Sequence, residues 1–431
     1  MKLSRMFAML VGLVGLRVIG AILNLLSQLV FTRTFVPADV GAIMLAMSTT
    51  AFISLFTSVG YPWLAFTQLP RFAALGLPNV WNRFHGAFLR DGTVAYLLFV
   101  AVVSLVIAIV PLNDTMKLAL IIGSCAAPAS MLLRYDSSVA NSLRRFTLSY
   151  APDFVFRALL ILAFVLLAPL LGYKLTVIHV TIGFVVVLYV VAIGQAIILG
   201  KKGVTPGNWF DAKPSFTRKL RLQAMPLSVV AAVATSFSDI VTLLGGFLLP
   251  AADVALLGVA IRLAAIAGFV IQVVQQFLLP DLAEAITKRA KEKAHELLLR
   301  MNILTIGTIG AGLIATVLLG RWTLALFGAA YVPAFGVLIL FMVGQSIRAL
   351  SGMNQQILSI EGHQLHTAGS CIVALIVLLS VSALATHQFG LLGIGIGTIA
   401  AELVWGLLLA SQALQKTGQR GDMFWLLAKR S

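Results

Sequence analysis

The chain has 431 residues, of which 60% are hydrophobic and only 11% charged, with a mean hydropathy of +1.01. Soluble domains carry about a quarter charged residues, so a soluble enzyme or binding module is excluded. Lys and Arg number 31 against 15 Asp and Glu, but this excess sits in short clusters between long apolar runs. That distribution fits insertion into a membrane and calls for no nucleic-acid partner.

A helix crossing a bilayer needs about 20 mostly apolar residues. In chain order, the runs that meet or approach this length are 6–31, 40–64, 93–111, 118–139, 154–171 and 176–199. A second series follows at 222–249, 254–279, 297–319, 333–350, 367–386 and 391–414. The runs 154–171 and 333–350 are the shortest of the set. None alternates with period two, as a barrel strand would. The expected fold is therefore an all-α polytopic membrane protein of about 12 transmembrane helices. Six fall in residues 1–200 and six in 222–414, with a basic linker at 201–221 and a tail at 415–431. The first run is too long for a signal-peptide core and carries Arg17 near its middle, so no cleaved leader is expected.

Basic residues favour the cytoplasmic side of membrane proteins. With the N-terminus inside, only Arg33, Lys117, Lys174 and Arg321 fall in outer loops, and Arg17, Arg134, Arg157, Arg262 and Arg348 fall within helices. All the others lie on the inner side, so both termini should be cytoplasmic. The outer segments are short; the longest, 321–332, holds Trp322, Phe327 and Tyr331 and reads as an interfacial aromatic belt.

Two stretches resemble each other half a chain apart. Phe35-Val-Pro-Ala-Asp-Val-Gly41 leads through an apolar helix to Gln68-Leu-Pro-Arg71, and Leu249-Pro-Ala-Ala-Asp-Val-Ala255 leads to Leu278-Leu-Pro-Asp281. Six helices per half keep both halves in the same orientation, so the repeat should be parallel. Transporters built this way place substrate at the interface of their repeats.

A charge near the bilayer centre costs about 2.5–3.5 kcal/mol on insertion scales and so faces a cavity or a partner. Arg17, Asp239, Arg262 and Glu402 hold such positions. At about 100° per residue, Arg17, Asn24 and Gln28 share one face of the first helix, and Ser228, Thr235 and Asp239 repeat the spacing in the seventh. In the eighth, Arg262 lies on the same side as Phe269 and Gln276, with Gln272 and Gln275 nearby. One reading is a wet cavity in which Arg17, Asn24, Gln28, Arg262 and Gln276 bind an anion, since guanidinium stays charged and matches phosphate oxygens in a fork. The other pairs Arg17 with Asp239, or Arg262 with Glu402, as interhelical glue. Asp239 and Glu402 are also the candidates for a coupling proton. Arg134, Arg157 and Arg348 lie nearer the inner helix ends, where they could snorkel.

Other motifs read more plainly. The sequence has no GxxxxGK[ST] loop, so direct drive by ATP within this chain is not expected. Cys125 and Cys371 sit inside helices, and His363 and His366 have no third ligand in sequence, so neither metal nor cofactor is called for. Gly393, Gly395 and Gly397 mark close helix packing, and the basic run Lys288–Lys293 suits a cytoplasmic segment on anionic headgroups.

Several motifs resemble those of the polysaccharide transporter family of lipid-linked oligosaccharide flippases. They are Thr32–Gly41 at the first turn, Arg134–Arg145, Leu326-Phe-Gly-Ala-Ala-Tyr331, Gly344-Gln345, Leu358-Ser-Ile-Glu-Gly362 and Phe389-Gly-Leu-Leu-Gly393. That family belongs to the superfamily of multidrug and toxin extrusion antiporters and lipid II flippases. At the first turn the chain has Val40-Gly41 in place of the family's Phe-Gly. The resemblance implies two six-helix bundles forming a V around a cationic cavity in a bacterial inner membrane. It implies a non-enzymatic flippase that moves undecaprenyl-pyrophosphate-linked oligosaccharide outward by alternating access, with membrane lipids, a glycan polymerase and export proteins as partners. Arg17 and Arg262 lie in the helices whose arginines hold pyrophosphate in related flippases. The alternatives are a multidrug antiporter of the same superfamily, a membrane-embedded glycan polymerase or ligase, and a scaffold for glycan export.

Overall fold

The structure is a computed structural model that describes residues 3–74, 78–112, 114–201, 218, 237–288 and 290–428. In unit order the helices are α1 (Leu3–Thr34), α2 (Pro37–Thr57), α3 (Tyr61–Ala74), α4 (Pro78–Ile109), α5 (Asp114–Ser124), α6 (Ala127–Ser142), α7 (Phe146–Ala151), α8 (Arg157–Leu170) and α9 (Val177–Lys201). There follow α10 (Phe237–Leu248), then α11 (Ala251–Thr287), α12 (Lys291–Phe327), α13 (Phe335–Leu350), α14 (Asn354–Ile360), α15 (Gln364–Phe389), α16 (Leu391–Thr417) and α17 (Met423–Ala428). A π-helical turn, Pro152–Phe156, joins α7 to α8, and a 3-10 turn, Ala329–Ala334, precedes α13.

Among the described residues there is no strand, and 11 helical segments are long and apolar enough to cross a membrane. The chain is an all-α, multi-pass membrane protein. The expected seventh span, 222–249, lies largely outside the described residues, and α10 is its C-terminal part. Contacts divide the chain into Met1–Leu243 and Leu244–Ser431. Most of the expected linker, 201–221, lies outside the described residues.

In the first unit, α2 is the buried helix, with 78% of its span covered. Its sequence explains this: it is apolar all round and rich in Gly, Ala, Ser and Thr, which let α4, α5, α6 and α9 approach closely. A Cβ on Gly123 of α5 would lie 2.9 Å from the Ala46 carbonyl oxygen. The buried hydroxyls satisfy themselves on backbone carbonyls: Thr49 donates to Leu45 at 2.8 Å, and Thr50 to Ala46 and across to Gly123. By contrast α4 turns Leu97, Leu98, Val102, Leu105 and Ile109 outward, the composition of a lipid-facing helix.

The two copies of the sequence repeat start alike and then diverge. Pro37 opens α2 and Pro250 caps α11, with Asp39 and Asp253 in the respective first turns. In the first copy the helix breaks after Thr57, where Val59 and Gly60 adopt φ of 47° and 72°, and α3 starts afresh. In the second, α11 runs unbroken to Thr287.

In the second unit, α16 packs along α15 and α13. A Cβ on Gly393 would strike the Ala385–Thr386 backbone, on Gly395 the Leu340 side chain, and on Gly397 Ser382. The 321–332 segment is less of a loop than its sequence suggests. The α12 helix continues to Phe327 and the 3-10 turn follows. Trp322 is exposed, but Phe327 and Tyr331 are buried. Only one of the three aromatics thus faces outward, because Gly328, at φ 133°, folds the chain back over its own helix end.

Candidate functional site

The α1 helix carries Arg17, Asn24 and Gln28 in one continuous element, as their spacing requires. Arg17 is half-buried, and its guanidinium carbon lies 4.7 Å from the Tyr150 ring centroid and 5.9 Å from that of Phe154. Tyr150 ends α7 and Phe154 belongs to the π-helical turn, so the irregular segment around Pro152 brings both rings beneath one arginine. Their quadrupoles attract the cation and fix its position. The approach depends on Gly20, where a Cβ would sit 2.7 Å from the Phe154 carbonyl oxygen. Asn141 Nδ2 donates to the Tyr150 hydroxyl at 3.3 Å, holding that ring at its hydroxyl end.

The rest of the stripe is anchored more locally. Asn24 Nδ2 donates to the Gly20 carbonyl of its own helix at 2.8 Å, Ser27 Oγ to Leu23 at 2.8 Å, and Gln28 is buried. Asp239, on α10, accepts from Ser48 Oγ at 3.2 Å; Ser228 and Thr235 lie outside the described residues. Arg262 is half-buried on α11. Gln276 lies on the same helix, among the residues whose side chains are not described.

Glu402 has a different neighbour from the one its sequence position suggests. Arg348 of α13 reaches it with Nη2 at 2.7 Å from Oε1 and Nε donating to Oε2 at 3.3 Å. The carboxylate side chain is 3% exposed and the arginine's 28%. Trp405, one turn after Glu402, lays its ring 5.3 Å from the same guanidinium. Of the two glue pairs offered by the sequence, Arg262–Glu402 is therefore replaced by Arg348–Glu402. Arg348 does not snorkel but forks onto a buried carboxylate, because α13 and α16 are close-packed at that level. Arg157 is likewise engaged, with Asp153 one turn back at 3.0 Å.

Sequence reasoning missed the aromatic seat of Arg17, although Tyr150 and Phe154 at i, i+4 around a proline were a visible signal. It also missed a polar network in the core of the first unit. There the Tyr61 hydroxyl donates to Asp91 Oδ2 at 2.8 Å, Tyr135 and His85 share a 2.8 Å hydrogen bond, and Phe88 stacks on Tyr135 at 3.8 Å. His85, Phe88 and Asp91 stand three residues apart on α4, but their partners Tyr61 and Tyr135 lie on α3 and α6, which no spacing in the sequence links to them. Among the described residues no three or more His, Cys, Asp or Glu gather where they could hold a metal; the His363 and His366 rings meet edge to face.

No family model matches the chain, and no curated protein matches its sequence. Solved structures do match. An inward-facing multidrug resistance MATE family transporter of the MOP superfamily superposes with a TM-score of 0.74 at 14% identity, over 92% of this chain and 94% of that one. The lipid II flippase MurJ, in an inward closed conformation, gives 0.70 at 16% identity, over 95% and 88%. This is the MATE and MurJ transporter fold. A MATE in a bent conformation adds 0.63 at 14% identity over 95% of each chain. At such identities the likeness speaks for the architecture.

Proposed function

We propose that the protein is a flippase of the bacterial inner membrane, moving undecaprenyl-pyrophosphate-linked oligosaccharide outward by alternating access for O-antigen, capsule or exopolysaccharide synthesis. It acts as a transporter and not as an enzyme, with both termini in the cytoplasm. The observation that carries this reading is Arg17, a guanidinium held within the first spanning helix on the faces of Tyr150 and Phe154. Cation–π contacts orient the guanidinium, and a pyrophosphate offers the acceptors that match its fork. Arg262 supplies the second cation, and Asn24, Gln28 and Gln276 the polar contacts around them. Glu402 works as the counter-charge of Arg348. The likeness to a lipid II flippase, whose name carries a lipid-linked cargo, supports the substrate class.

A cation-coupled multidrug antiporter is the second reading. It is favoured by the likeness to MATE transporters and by Asp239, a half-buried carboxylate on α10 fixed by Ser48.

Glycan export in a cell that depends on this protein separates the two, with membrane abundance controlled. A hydrogen bond to a charged group is worth about 1.5–3 kcal/mol, so Arg17→Ala and Arg262→Ala should each lower export about tenfold or more. Lipid-linked intermediate should then accumulate on the cytoplasmic side. Arg17→Lys, which keeps the charge and loses the fork, should fall between. Normal export from both alanine variants would overturn the flippase reading, and loss of drug efflux in Asp239→Asn would put the antiporter in its place.

A further inference from the structure

A groove of about 620 Å³ opens on the first unit at the end where α6 turns into α7 and α9 finishes. Its body is apolar and faces outward: Phe156, Leu160, Val190 and Ile198 are between 38% and 57% exposed. Apolar side chains of that size on the surface of a membrane-spanning bundle meet acyl chains. Its head is the opposite. Arg144 and Arg145 line it, and none of the residues that line it is acidic.

Two polar atoms at this head are buried without a partner, Arg145 Nη1 and Gln195 Oε1. Gln195 is 2% exposed, and its orientation is fixed, because Nε2 donates to the Leu148 carbonyl at 2.9 Å and to Ser137 Oγ at 3.2 Å. Its oxygen is thus held as an acceptor in the same groove that Arg145 lines. Buried polar atoms of this kind call for a partner, and here one needs an acceptor and the other a donor. The turn between α6 and α7 carries both arginines. Arg144 adopts a left-handed φ of 57°, and the Arg145 N–H reaches back to the Ala140 carbonyl at 2.8 Å, the Schellman geometry that closes a helix end. Pro152 and Phe156, both lining the groove, are the two ends of the π-helical turn, an element found mostly at functional positions.

We propose that this groove binds one anionic phospholipid of the inner leaflet, with phosphate on Arg145 and Arg144, a headgroup hydroxyl donating to Gln195, and an acyl chain along Phe156, Leu160 and Ile198. Phosphate supplies the acceptor that the guanidinium lacks, and a glycerol headgroup the donor that the amide oxygen lacks. A zwitterionic choline headgroup supplies no such donor and adds a positive charge beside two arginines. The site is separate from the transport reading and does not depend on it.

Native mass spectrometry of the delipidated full-length protein, titrated with phosphatidylglycerol or phosphatidylcholine in mixed micelles, tests this. The wild type should hold one phosphatidylglycerol about tenfold more tightly than phosphatidylcholine, a preference that weakens at high salt. Arg145→Gln should abolish the preference, and Leu160→Trp, a surface change that fills the groove and leaves the arginines in place, should reduce binding of that one lipid. Equal binding of the two lipids by the wild type, or a preference that survives both variants, would overturn the proposal. So would equal occupancy by inorganic phosphate alone, which would make this an anion site and not a lipid site.

Discussion

Arg348 and Glu402 form the best-defined ion pair within the spanning helices described. Burying two charges is expensive, and their attraction offsets the cost only while both are present. Removing one partner from such a buried pair costs about 3–5 kcal/mol, whereas replacing both with neutral side chains of similar volume is near neutral. Arg348→Met should therefore lower the melting temperature of the purified protein clearly, since it strands the more deeply buried Glu402. The double variant Arg348→Met with Glu402→Gln should recover most of the loss. A thermal-shift measurement in detergent checks both, and equal melting of the single and double variants would mean the pair is not coupled. The same pair shows why the sequence could not name the partner. Arg262 stands nearer mid-helix than Arg348, which lies in the last turn of its helix, yet the packing of α13 on α16 brings Arg348 to Glu402.

The helices themselves were largely legible, because length and hydropathy determine which segments can cross a bilayer. What pattern could not show was how each span is interrupted. The apolar run 118–139 is divided into α5 and α6 by a turn ahead of Pro128, and 154–171 is the C-terminal part of a longer segment that starts at Phe146 and passes through the π-helical turn. Hydropathy averages over such breaks, yet the second of them seats Arg17. The glycines of α16 were read correctly as packing residues, and they allow a direct check. Gly397→Ala would drive a Cβ onto Ser382, 2.8 Å from its backbone nitrogen, where no side-chain rotation relieves the clash. Overpacking of this kind costs about 1–3 kcal/mol. Gly310 of α12 has open space where its Cβ would lie, so Gly310→Ala should be neutral or stabilise by up to about 1 kcal/mol through helix propensity. Melting curves of the two variants should move in opposite directions, or at least differ by that gap.

At the level of the whole molecule, the distribution of charge makes a claim about direction. Lys174 follows α8 and Lys288 caps α11, and the charge bias assigns the first to the outer surface and the second to the cytoplasm. The turn around Lys288 is marked by exposed ion pairs: Lys288 Nζ sits 2.6 Å from Glu284, and Arg300 pairs with Glu296. The carboxyl of Glu284 is held below its usual range by Lys288, whose ammonium is held above its own, as expected of charges that remain in water. Both positions can therefore take a cysteine without loss of a core contact. In a background with Cys125 and Cys371 replaced by serine or alanine, Lys174→Cys should react with a membrane-impermeant maleimide added to intact cells. Lys288→Cys should react only after the membrane is opened. The reverse pattern would invert the chain, place the basic clusters outside, and turn the proposed export of an inner-leaflet substrate into import. Equal labelling of both from outside would mean that the number of spans between them is even and not odd. One outer–inner pair is enough because every added helix flips the side, so a single misassigned span between Lys174 and Lys288 changes the result.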